Sequence, residues 1–168
     1  MNDLIVLTLL LEGPKHGYRL KQETEMFGAK QQFHNNTIYP LLNRLLNEGF
    51  ISQREGEGER GQTRLLYELT EEGRRHLVER LAGFSEADAD NEGAFRMRVG
   101  LFDLLDVATR RRILELRERC LVARLKRLEA IGGTRTISGW PAKSFEFVVS
   151  SIEREREWIA RLAEQIES

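Results

Sequence analysis

The chain has 168 residues, 40% hydrophobic and 32% charged, with a formal net charge of −1. That length and balance describe one or two small, helix-rich soluble domains, and the single cysteine, Cys120, excludes an intrachain disulfide. Through Gly83 the chain carries 11 Lys and Arg against 12 Asp and Glu, and beyond it 15 against 15, which excludes a domain-wide basic field and leaves any polyanion contact to a local surface.

Leu4 to Leu11 is nearly all apolar. Its length suits a buried strand or a helix; its leucines favour helix, and Gly13-Pro14 stops it. It is too short to span a bilayer, and no basic segment precedes it, so no signal peptide and no membrane span are expected and the expected location is the cytoplasm. A second short helix starts at about Gly17, with Tyr18 and Leu20 as expected core positions. A third begins at Asn35, Asn36 or Thr37, each a competent N-cap. Within it Ile38, Leu41, Leu42, Leu45 and Leu46 recur at steps of three and four, a single buried stripe closed by Gly49. The period then changes. Phe50 to Arg54 and Leu65 to Leu69 read as two strands of a hairpin with a Gly-rich tip. Thr70 caps a fourth helix carrying Leu77, Val78 and Leu81.

Gly83 to Gly93, small and acidic, is the expected boundary between a domain of residues 1–83 and one of 84–168. Beyond it come a mostly apolar helix from Phe95 to Leu105, a long helix from Thr109 to Ile131 ended by Gly132-Gly133, and a last helix from Lys143 to Ile166. In that last helix Phe145, Ile152, Ile159 and Ile166 repeat every seven residues, with Val149 and Leu162 in the adjacent row. The pattern suits a seam against a partner helix, although an amphipathic helix docked on its own chain shows the same spacing. The expected seam is the partner one, interrupted by Glu155.

Helix, short helix, turn, helix, two-stranded hairpin, helix is the order of a winged helix-turn-helix. The expected fold class is mainly α with a small β-hairpin. Removing the buried stripe from the third helix leaves Thr37, Tyr39, Pro40, Asn43 and Arg44 outside, a face with one cation and no acid. Asn can pair with adenine edges, Arg with guanine, and Thr or Tyr hydroxyls with phosphate. Tyr39 has a structural alternative, packing on the second helix. The hairpin tip adds Arg60 and Arg64 among Glu55, Glu57 and Glu59. With Asn35 and Asn36 at the helix start, these are the candidate DNA-binding residues.

His16-Gly17-Tyr18-Arg19-Leu20, Asn36-Thr37-Ile38-Tyr39-Pro40-Leu41-Leu42-Asn43-Arg44-Leu45, Glu48-Gly49-Phe50-Ile51 and Tyr67-Glu68-Leu69-Thr70-Glu71-Glu72-Gly73 together resemble the PadR family of transcriptional regulators. The resemblance covers the first half of the chain; the second half resembles that family's helical dimerisation domain by pattern alone. It implies a homodimeric repressor that binds a palindromic operator in double-stranded DNA, with a small-molecule effector held between the C-terminal helices and the winged domains as a further candidate partner. The acidic wing departs from the basic wings frequent in that family.

The histidines are scattered without ligand spacing, no nucleophile-base arrangement or phosphate loop is present, and the glycines at 56, 58 and 61 lie between two strands. No metal, no cofactor and no catalytic residue is therefore expected. Trp140 and Trp158 are expected in the core, or one of them in an effector pocket. The competing functional reading is a winged-helix protein-interaction module that does not bind DNA.

Overall fold

The structure, a computed structural model, describes residues 2–27, 35–57, 63–134 and 137–167. It forms two compact units, Met1–Leu81 and Ala82–Ser168.

In the first unit α1 (Asn2–Leu11) buries Leu4, Val6, Leu7, Leu9 and Leu10. Apolar on nearly every face, it can only be an interior helix. It stops at Gly13, whose φ of 126° a side chain would strain. The next two residues form β1 (Lys15–His16), which the sequence did not announce because two residues carry no period. β1 pairs antiparallel with β3 (Thr63–Leu69), which also pairs with β2 (Ile51–Glu57), giving the order β1-β3-β2. The expected hairpin is therefore part of a three-stranded sheet.

Against the sheet stand α1, α2 (Gly17–Phe27) and α3 (Asn35–Asn47), and α4 (Glu71–Ala82) follows β3. Thr70 caps α4 as its sequence predicts: its hydroxyl accepts from the Gly73 amide at 2.9 Å and lies 2.7 Å from the Gly49 carbonyl. One threonine thus ties the end of α3 to the start of α4. At Gly73 a Cβ would stand 1.9 Å from the Phe50 carbonyl oxygen, so only glycine allows this approach. His76 stacks on Phe50 with ring centroids 3.9 Å apart, a packing role.

The second unit departs further from expectation. The acidic stretch after Gly83 contains α5 (Glu86–Asp90), held by a reciprocal capping box between Ser85 and Asp88, with Phe84 and Ala89 buried. Glu86 and Asp88 lie in its first turn, where acids favour the helix start. α6 (Glu92–Val99) is shorter than predicted; the chain turns at Gly100 and makes a 3-10 turn over Phe102–Leu104. α7 (Val107–Thr134) runs through Gly132 and Gly133, which were expected to stop it. A Cβ at Gly132 would lie 3.2 Å from the Phe145 ring, so this glycine admits the neighbouring helix. That neighbour is α8 (Trp140–Glu167). Arg117 meets Glu155, Glu118 meets Arg156 and Gly132 meets Phe145, so α7 and α8 run antiparallel.

Candidate nucleic-acid interface

α3 is oriented by its buried side. Ile38 and Leu42 are fully buried and Leu45 nearly so. Each such side chain contributes roughly 1.5–3 kcal/mol of burial, so the helix cannot rotate without losing several kcal/mol. The opposite face is fixed by the same packing. Thr37, Tyr39, Pro40, Asn43, Arg44 and Asn47 are all exposed there, and α3 contains no acidic residue. Pro40 lies inside α3, beyond its first turn. Its ring removes one backbone donor and sets an apolar edge on the exposed face. Asn35 and Asn36 lie in the first turn of α3 and Arg64 lies in β3, but their side chains, and Arg60 altogether, fall outside the described residues.

Tyr39 packs near Gly17 while keeping 42% of its surface exposed. Its ring edge would be 3.2 Å from a Cβ at Gly17, with Tyr67 at 3.3 Å on the other side. The absence of a side chain at Gly17 lets α3 seat against the start of α2. Burial pushes the Tyr67 hydroxyl pKa up, and nearby Tyr39 adds to the shift.

The start of α2 is held by ions. Lys15 is 6% exposed, with its Nζ 2.7 Å from Glu12 and 2.9 Å from Glu23. Burial opposes its charge, but hydrogen bonds to the two carboxylates outweigh it and raise the pKa above the usual lysine value. Glu23 also receives Arg19 Nε at 2.7 Å. Its burial works the other way, yet the Arg19 and Lys15 contacts hold its pKa below the usual range.

Tyr18, expected in the core, is 60% exposed instead. It lies on the outer side of α2, across from the buried Leu20 and Thr24, and Gln22 Nε2 donates to its Oη at 3.0 Å. On the hairpin, Arg54 faces Glu68 at 3.6 Å and Glu55 is exposed. Leu65 is half-exposed between them and the tip.

In the second unit two arginines are buried, a feature hydropathy cannot reveal. Arg117 forms a two-pronged pair with Glu155, both contacts 2.8 Å, and also donates to the Ala89 carbonyl. Arg98 donates to the Ala94 carbonyl at 3.0 Å and lies over the Phe84 ring at 4.7 Å. Such burial is tolerated only with complete pairing. Ile152 and Ile159 are each 4% exposed within the single chain, and Phe145 lies against Gly132. Ile152 and Ile159 are thus covered within the single chain, as the alternative of a helix docked on its own chain expects. Val149, Leu162 and Ile166 are half-buried. Trp158 packs edge-on against Phe95, 5.9 Å between centroids, whereas Trp140 is 87% exposed, not core, and Phe147 is 66% exposed.

Cys120 stands 3.4 Å from Asp90; burial and that carboxylate push its thiol pKa up, against a reactive thiolate. Among the described residues no helix is long and apolar enough to cross a membrane.

A helix-turn-helix, a two-stranded hairpin completed by a third strand, and a helix behind them define a winged helix-turn-helix domain. Residues 6–79 match the family model of the transcriptional regulator PadR-like family. That match covers less than half of the chain, so the likeness to the family is one of this segment. None of the curated proteins matches the chain. Among solved structures it is similar to a candidate transcriptional regulator from Thermoplasma acidophilum, at 31% identity over 46% of this chain and 74% of that one, TM-score 0.41. A PadR-like transcription factor from Bacteroides fragilis shares 29% identity over 51% and 82%, TM-score 0.44. PadR of Bacillus subtilis, solved with operator DNA, shares 19% over 98% of each chain, TM-score 0.47.

Proposed function

We propose that this regulator is a homodimeric DNA-binding repressor in which α3 of each copy enters a major groove of a palindromic operator. The observation that carries the reading is the rigid, exposed, acid-free face of α3, with Asn43 and Arg44 as base readers and Thr37 and Tyr39 as phosphate contacts. Residues 1–83 then form the DNA-binding domain, with Arg60 and Arg64 as wing cations, and residues 84–168 the dimerisation domain. With Ile152 and Ile159 spent on α7, the surface for a second copy is the bare stretch of α8 around Trp140 and Phe147, seven residues apart on one face and followed on it by exposed Arg154 and Arg161. A small helical unit gains core by pairing in this way.

The competing reading, a protein-interaction module, draws on the near-zero charge and on the exposed Tyr18, Met26 and Leu65. Titration of the protein with duplex from its own upstream region and with random duplex, each at several salt concentrations, separates the two. The DNA reading expects tighter binding to the upstream duplex and a log-log salt slope of about −0.9 for every phosphate neutralised. An interaction module binds neither duplex.

A further inference from the structure

We propose that Tyr18 is a phosphate clamp, a sequence-independent positioning contact on the DNA backbone; the inference rests on the DNA reading above. It begins with the failure of hydropathy at this residue. A tyrosine between Gly17 and Arg19 at the start of an amphipathic helix reads as core, yet it is 60% exposed while Leu20 and Thr24, across the helix, are fully buried. The exposure is organised. Gln22, one turn on, donates Nε2 to the Tyr18 oxygen at 3.0 Å. An oxygen that accepts from Gln22 keeps its own proton for an outward acceptor.

The position suits phosphate better than a base. In a helix-turn-helix the second helix lies in the groove while the first crosses the backbone. Tyr18 is the second residue of that first helix. Gly17, beside it, lies against Tyr39 of α3, so Tyr18 stands next to the groove-facing helix but not on it. The helix start is immobilised by the Glu12, Lys15 and Glu23 ion cluster and by β1 pairing with β3. A donor held on a fixed backbone loses little freedom on binding. The same stripe runs through Gln22 to exposed Glu25, whose carboxylate lies 3.9 Å from Lys21, so Tyr18 and not a cation is its donor to the DNA.

A neutral donor leaves a signature that a cation does not. It displaces no counterion, so it adds affinity without adding salt slope. Tyr18→Phe should weaken binding to upstream and random duplex alike, by about three- to tenfold, at every salt concentration and with the slope unchanged. Gln22→Leu, which frees the hydroxyl without removing it, should produce a smaller loss of the same kind. Arg44→Ala serves as the contrast, since its loss falls on the preferred duplex. Wild-type affinity in Tyr18→Phe, a loss confined to the upstream duplex, or a flattened slope would each overturn the clamp while leaving DNA binding in place. Failure of the unmodified protein to bind either duplex would remove the clamp together with the reading it rests on.

Discussion

Asn43 and Arg44 sit side by side on the exposed face of α3, and a side chain that reads a base does so because its hydrogen-bond pattern fits one edge and not the others. A good two-pronged contact discriminates by roughly 1–3 kcal/mol. Asn43→Ala and Arg44→Ala should therefore narrow the affinity gap between preferred and random duplex by that amount, about fivefold to over a hundredfold. Neither residue is buried, so the thermal midpoint should hold. If both variants keep the full gap, the reading of α3 is wrong at these positions. The same outer face was legible in the sequence, because subtracting a three-four stripe from a helix is arithmetic. Tyr18 was not read from it, although its two-residue spacing from Leu20 places the two on opposite sides of a helix. Nor were Arg98 and Arg117, whose burial depends on partners far along the chain.

At the scale of elements the joint between α3, β2 and α4 is the strictest in the first unit. Gly73→Ala puts a methyl group 1.9 Å from the Phe50 carbonyl oxygen, which is backbone and cannot swing aside. Overpacking of this kind costs about 3 kcal/mol, and chemical denaturation should show the loss. Gly100→Ala is the control: its nearest neighbour would be an ordinary 3.5 Å away, so stability should scarcely change. Equal effects from the two substitutions would contradict the joint. Elements with a strong period were read well, as the stripe of α3 and the cap of α4 illustrate. Those governed by close approach were not. Gly132 reads as a helix stop in any local scheme, and only the Phe145 ring against it explains why α7 continues. The helix from Glu86 to Asp90, inside the expected boundary, carries no readable period because Phe84 and Ala89, its buried anchors, are too sparse.

The proposed dimer adds symmetry to these local properties. A heptad in α8 that closes on its own α7 leaves Trp140 and Phe147 bare, and large exposed aromatics on one helix face suit a second copy. Two copies related by a two-fold axis present two α3 helices, which fixes a distance as well as a stoichiometry. Phe147→Glu should turn a sedimenting dimer into a monomer without unfolding it, because the side chain is 66% exposed in the single chain. The most direct test of the central claim is a hydroxyl-radical footprint of the unmodified protein on DNA from its own upstream region. Two protected half-sites of inverted sequence, their centres about 34–36 Å or a multiple of it apart, are the expected result. A single asymmetric patch of protection, or none at concentrations where the protein is dimeric, would contradict it.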